Sequence, residues 1–344
     1  KEEIQQFKLG LAFDATVSEC LNFNTYGFYS FRNFYGLLPF ENGGIVDLRR
    51  DYFGQGSSLT FNRNFPEFKI GETKGLDLKI QLGYDIAFQR DERLRFQNEQ
   101  GVQGDESLNQ LETFDTFGIY LLKQAEIGNW LFRGGLRYDY NQLKAEDNFL
   151  SDGDDSGDLQ LNAFSANFNS SYEINEVMSF FGGISTSFET PALSELSANP
   201  NGDAGFNQNL EAQRAINYQI GLKAKTDLKR LELTLFYIDT QDDLVPFELE
   251  AFPDRTFFRN AGSTSRFGAE VFLSQQLTDY LKLNTSYTYS NFEYDNYSLP
   301  SGDFTGNALP GIPKHLATAS LQYERNRITL QLNGQYTGDF FADD

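Results

Sequence analysis

Residues 76–88 read LDLKIQLGYDIAF, and their phase decides the fold. Leu76, Leu78, Ile80, Leu82, Tyr84, Ile86 and Phe88 fall on one side of an extended strand. Asp77, Lys79, Gln81, Gly83, Asp85 and Ala87 fall on the other. Side chains alternate faces along a strand, so one face is apolar and the other mostly hydrated. At ~3.4 Å per residue the segment outruns the ~5–6 residues of an average globular strand. It suits a tilted strand crossing a bilayer, which needs ~9–11 residues with this two-faced pattern.

The pattern recurs and predicts about fourteen strands. Phe7–Val17 carries it on Phe7, Leu9, Leu11 and Phe13, and Trp130–Asn141 on Trp130, Phe132, Leu136, Tyr138 and Tyr140. Ile328–Tyr336 repeats it on Ile328, Leu330, Leu332 and Tyr336. The connections alternate in length. Short ones, such as Gln124–Asn129, Glu173–Glu176 and Glu324–Arg327, separate long polar ones at Arg32–Gln55, Arg90–Glu112, Leu143–Gln160, Glu189–Arg214, Asp239–Ser265 and Asn291–Lys314. Structureless loops beyond ~12–15 residues are uncommon in compact domains. Their confinement to every second connection fits an all-β, antiparallel, up-and-down transmembrane β-barrel with short periplasmic turns and long extracellular loops.

Composition is consistent with this. Of 344 residues, 40% are hydrophobic, and Phe (34) and Tyr (18) far outnumber Trp (1), which suits a lipid face with aromatic girdles. No run of ~18 apolar residues offers a helical span. The net charge of -21 disfavours nucleic acid, whose phosphates attract Lys and Arg. One Cys and one His leave no material for a disulfide, a zinc site or a Ser-His-Asp triad. Glu189 and Glu195 flank a loop, but no nucleophile–base pair or phosphate loop accompanies them, so an enzyme is not expected. The acidic run Ser151–Asp158 lacks the closing glutamate and central glycine of a calcium loop and reads as solvated.

Four segments resemble the barrel of TonB-dependent outer-membrane receptors of the siderophore and ferric-citrate kind. Ser187–Lys223 (SFETPALSELSANPNGDAGFNQNLEAQRAINYQIGLK) resembles that family's strand–loop–strand block. Phe258–Val271 (FRNAGSTSRFGAEV) resembles its Asn-x-Gly, Gly-x-Glu-Val block, and Leu309–His315 (LPGIPKH) its Pro-x-x-Pro-Lys-His lead into a late strand. Arg50–Phe61 (RDYFGQGSSLTF) resembles the Arg-x-Phe-Gly region. The likeness runs from about Arg49 to the end of the chain. It implies a barrel of 22 strands around an N-terminal plug. Nothing here resembles a plug or a TonB box, and the alternation is already running at Lys1–Ile4. The expectation is therefore residues 1–344 as part of a larger barrel, without its plug. A closed fourteen-stranded barrel is the structural alternative.

The resemblance implies outer-membrane residence and active uptake of an iron(III)–siderophore or similar chelate, driven through the TonB–ExbB–ExbD system. Iron then travels inside its chelate, and no cofactor or metal held by side chains is expected. Arginine suits anionic chelates, so loop residues Arg32, Arg49, Arg50, Arg255 and Arg259 are candidate contacts, with Tyr35 and Tyr52 beside them. Pairing of these arginines with nearby loop acids such as Asp47, Asp51 and Asp254 is the competing reading. Asp77, Lys79, Asp85, Arg133, Arg137, Lys223 and Lys282 should face the lumen and a plug, while the apolar faces meet outer-membrane lipid. Three other functions stay open: TonB-dependent uptake of cobalamin or a glycan, a passive porin or fatty-acid channel, and a soluble β-rich binding protein.

Overall fold

The computed structural model describes residues 2–37, 44–151, 153–196, 199, 206–249, 252–299 and 302–342, without the side chains of 248, 252–255, 261 and 299. Its strands are β1 (Glu2–Ser18), β2 (Leu21–Leu37), β3 (Ile45–Ile70), β4 (Thr73–Glu99), β5 (Val102–Ile127), β6 (Trp130–Asp147), β7 (Gly157–Glu173) and β8 (Met178–Glu189). After one helical turn, α1 (Leu193–Leu196), come β9 (Gln213–Lys225), β10 (Lys229–Leu249), β11 (Phe252–Thr278) and β12 (Leu281–Asn296). A small hairpin, β13 (Ser298–Leu299) with β14 (Gly302–Asp303), precedes β15 (His315–Arg325) and β16 (Ile328–Thr337). All but β13 and β14 join one 14-stranded antiparallel sheet in chain order, from β1 to β16. Among the described residues β1 and β16 do not pair, so the sheet does not close on itself at fourteen strands.

Three of the six long connections expected as loops, Arg32–Gln55, Arg90–Glu112 and Asp239–Ser265, are largely strand. Arg90–Glu112 contains the ends of β4 and β5, which meet at a tight turn of Gln100 (φ 55°) and Gly101 (φ 93°). Both central residues are left-handed, the mark of a type I′ hairpin whose twist matches the flanking strands. β10 and β11 likewise run to Leu249 and from Phe252, and β2 and β3 to Leu37 and from Ile45. β4 has 27 residues, or roughly 90 Å at ~3.3 Å each, so it crosses a ~30 Å hydrocarbon core and continues well beyond it. Outside lipid both faces of the ribbon are wetted, and the apolar alternation that marks a strand in sequence fades. Of the long connections, Glu189–Arg214 departs furthest from strand among the described residues.

The two faces of the wall differ as the phase of residues 76–88 requires. Leu82 pairs with Leu59 and Leu121, and Leu121 with Leu136, in one exposed apolar row. Above it run Tyr84, Ile119, Tyr138 and Phe164, and across the sheet Ile220, Leu235, Tyr237 and Phe267, all exposed. Exposed apolar surface of this extent is a liability in water and a match for lipid. Aromatic pairs edge the belt. At the short-turn end Trp130 stacks on Phe132 (5.4 Å) and meets Tyr172 at a tilt (4.7 Å), and at the other end Phe53 stacks on Phe88 (6.4 Å). On the opposite face Ser58, Gly83, Asp91, Glu112 and Asp139 are buried.

Candidate functional site

The inner face is built by the residues out of phase with the belt. Asp77, Lys79 and Asp85 of β4, Arg133 and Arg137 of β6, Lys223 of β9 and Lys282 of β12 all stand on it by register. The structure joins two of them. Arg137 Nη1 and Nη2 donate to Asp85 Oδ1 (3.0 Å) and Oδ2 (2.7 Å), while its Nε donates to Asp139 Oδ1 at 2.8 Å. The pair reaches over β5 because Gly118 lies between the two strands and has no side chain. Lys223 lies over the Phe181 ring (5.1 Å), and Arg133 donates to Gln124 at 3.0 Å.

Glycines also seat inner-face rings, a feature that strand periodicity does not signal. Tyr26 lies over Gly56, Phe28 over Gly54, Tyr120 over Gly83 and Phe181 over Gly221. A ring laid on a glycine of the next strand covers backbone that its own side chain cannot. The inner wall is therefore partly aromatic as well as charged.

Toward the long-connection end the inner face carries a second ion network. Arg50 donates through Nε (2.8 Å) and Nη2 (2.5 Å) to Asp91, which is 0% exposed. Gln89 Nε2 also donates to Asp91, at 3.1 Å. Arg93 pairs with Glu112, Nε to Oε1 at 2.9 Å and Nη2 to Oε2 at 3.0 Å, with Glu112 2% exposed. Buried carboxylates are tolerated when paired and hydrogen-bonded; Arg50 supplies both to Asp91 through two nitrogens, and Arg93 supplies Glu112 an ion pair with one hydrogen bond. Arg32 stands directly opposite Arg50 in the β2–β3 register and lies over the Phe34 ring (5.8 Å). Among the described residues it has no ion pair.

The connection after β8 folds onto this network. Leu196, Phe206 and Leu210 bury against Leu143, Ala145, Phe114, Leu159 and Leu161 on one side, and Leu244 and Phe258 on the other. Asn260 clamps the segment: its Oδ1 accepts the Glu211 N–H (2.8 Å), and its Nδ2 donates to the carbonyls of Glu211 (2.9 Å) and Asp242 (2.8 Å). Glu195 Oε2 accepts the Ala192 N–H at 2.7 Å. Between this segment and the ion network lies a cavity of about 330 Å³, lined by Arg50, Gln89, Asp91, Arg93, Glu112 and Pro191, among others.

The candidate chelate contacts are placed differently from the sequence expectation. Arg32 and Tyr35 lie in β2, Arg49, Arg50 and Tyr52 in β3, and Arg259 in β11, so none of them is on a loop. Alternation then separates them. Arg32, Arg50 and Tyr52 fall on the inner face. Tyr35 and Arg49 fall on the outer one, where Arg49 meets Asp51 (3.5 Å) and Glu92 (4.0 Å) above the belt. Arg259 lies between the rings of Phe247 (5.0 Å) and Tyr297 (5.8 Å). Arg255 falls in β11, but its side chain is outside the described residues. Sequence reading missed Asp91, Arg93 and Glu112. The signal was there: Gln89, Asp91 and Arg93 continue the odd-numbered phase of Asp77–Asp85.

The acidic connection before β7 uses its carboxylates on itself. Asp147 accepts the N–H groups of Phe149 (2.9 Å) and Asp155 (3.0 Å), and Asp154 that of Ser156 (3.0 Å). The Ser156 hydroxyl and N–H hold the Asp154 carboxyl below the usual range. No group of three metal-binding side chains occurs among the described residues.

A lipid-belted antiparallel wall with a charged inner face and an inward-folded connection is that of a membrane-spanning β-barrel. The family model of the TonB-dependent receptor-like β-barrel matches residues 2–344, so the match begins well before Arg49. The chain belongs to that family, whose members are outer-membrane transporters and not enzymes. It is 28% identical over 257 residues to a probable TonB-dependent siderophore receptor, PiuA, of Acinetobacter baumannii, covering 67% of this chain and 32% of the relative. It is 30% identical over 176 residues to an iron-regulated outer membrane virulence protein of Vibrio cholerae, covering 46% of this chain and 26% of the relative. The chain thus spans about a quarter to a third of these relatives. In structure it superposes on the unliganded ferric citrate transporter FecA with TM-score 0.78 at 20% identity, covering 99% of this chain and 50% of FecA. The copper transporter OprC gives TM-score 0.70 at 17% identity, covering 94% and 50%. At these identities the structures establish the fold alone.

Proposed function

We propose that this chain forms a wall of a receptor that takes up an anionic metal chelate, an iron(III)–siderophore or citrate-like complex, across the outer membrane with energy delivered through TonB and ExbB–ExbD. The observation that carries the proposal is the charge on the upper inner face. In a chain of net charge -21, Arg32, Arg50 and Arg93 gather there against Asp91 and Glu112, leaving Arg32 uncompensated. A cationic patch inside an acidic wall concentrates anions at the mouth of the path. Iron is the metal favoured by the siderophore and iron-regulated names of the two relatives, and OprC makes copper the natural control.

The test is equilibrium binding of ferric citrate and of a ferric siderophore to the intact receptor, against the iron-free chelators and a copper chelate. Arg32→Glu should weaken binding of the anionic iron complex about tenfold or more while leaving thermal stability unchanged. Equal binding by wild type and the variant would remove the charge argument. Preference for the copper chelate would redirect the cargo.

A further inference from the structure

Below its arginines the inner wall of β2 and β3 is lined with rings. Tyr52 lies one inner-face step inward from Arg50, and Phe28 and Tyr26 follow, seated over Gly54 and Gly56. From Arg50 to Gly56 the column runs ~20 Å at ~3.3 Å per residue. Phe28 and Tyr52 meet edge to face, with centroids 5.2 Å apart and planes at 67°. Cover for glycine backbone explains the seating of Phe28 and Tyr26. It leaves the phenols unexplained. The Tyr26 and Tyr52 hydroxyls have no hydrogen-bond partner among the described residues, and Tyr26 is 42% exposed. A phenol both donates and accepts, so each can meet an oxygen of a ligand.

The charges at the head of the column choose between classes of cargo. Arg50 and Arg93 are neutralised by Asp91 and Glu112, so of these three arginines only Arg32 is uncompensated. A compact polycarboxylate complex is recognised by guanidinium–carboxylate pairs and would call for several free arginines. One free cation beside a column of rings suits an anion that carries its metal on aryl groups. Its rings pack on rings, face or edge, and its ligating oxygens accept from phenols. We propose that Phe28 and Tyr52 are specificity-determining residues that select an aryl chelate, a ferric catecholate, over an aliphatic one. An aryl arm of the complex packs on Phe28 and Tyr52, a ligating oxygen accepts from the Tyr52 hydroxyl, and Arg32 holds the net charge.

The inference rests on the proposed uptake of an anionic metal chelate and names its chemical class. The intact receptor is titrated with iron(III) tris-catecholate and with ferric citrate, and the equilibrium affinities are compared. The catecholate should bind about tenfold tighter or more. Phe28→Ala and Tyr52→Ala should each weaken the catecholate about tenfold and leave citrate unchanged. Phe28→Leu keeps apolar bulk without the ring and should weaken it as much, whereas Phe28→Tyr should bind as wild type does. Both rings are only half-buried, so the variants should fold, which heat-modifiable gel mobility checks. Equal or tighter binding of ferric citrate, or a catecholate affinity unchanged in both Phe28→Leu and Tyr52→Ala, would overturn the proposal. Arg32→Glu separates this inference from the one beneath it. Loss of both chelates in Arg32→Glu, with the ring variants binding as wild type, keeps the charge and removes the rings. Indifference of both chelates to Arg32→Glu, with the catecholate still lost in Phe28→Leu, does the reverse.

Discussion

Arg137 reaches across β5 to chelate Asp85 through the space left by Gly118, tying β4 to β6 without passing through the strand between them. A side chain at Gly118 would run into the guanidinium and the carboxylate together. Gly118→Ala should therefore lower stability by about 1–2 kcal/mol, modest because both partners are about a third exposed. Gly134 in β6 has only ordinary contacts, the nearest at 3.7 Å from the point a Cβ would occupy, and serves as control. Gly134→Ala should be near neutral. Urea midpoints in detergent give both values.

Asp91 is the most buried carboxylate of the inner wall, and Arg50 is its partner. Removing the carboxylate leaves a guanidinium only a third exposed. Asp91→Ala should cost about 2–4 kcal/mol, and adding Arg50→Ala should recover part of that loss. Additive losses in the double-mutant cycle would show that the two do not act as a pair.

The belt makes a depth-dependent prediction. Leu82→Arg places a charge on the lipid face and should cost about 2–4 kcal/mol, whereas Gln81→Arg, on the other face, should cost under about 1 kcal/mol. Refolding into vesicles with tryptophan fluorescence of Trp130 reads both. Equal penalties would deny the two faces their separate solvents.

The inward-folded connection depends on Leu196, which is 0% exposed. Leu196→Ala should cost about 2–4 kcal/mol of local packing and expose the connection to protease. Cleavage between β8 and β9 should then appear while the strands stay intact. An unchanged digestion pattern would mean that the apolar cluster does not hold the segment.

The stave at 76–88 was legible because lipid on one side and water on the other force a strict period of two. The same physics explains why Arg90–Glu112 reads as loop. Past the membrane the chain still pairs, but both sides meet polar surroundings, and Arg90 to Arg95 no longer alternates in hydropathy. The placement of Arg49 and Arg50 on opposite faces was recoverable from phase, once β3 was known to run through them. The seating of Tyr26 on Gly56, and of the 206–212 segment on Leu143 and Leu159, was not. Those contacts join residues far apart in sequence, and a glycine in a strand carries no mark of the ring that covers it.

Uptake tests the central claim most directly. A strain deleted for the intact gene and complemented with it is given radiolabelled ferric citrate or ferric siderophore, with and without a protonophore. The account predicts accumulation that requires both the gene and the proton gradient and that falls in the Arg32→Glu strain. Equal accumulation in the deletion strain, or accumulation that persists with the gradient collapsed, would contradict it.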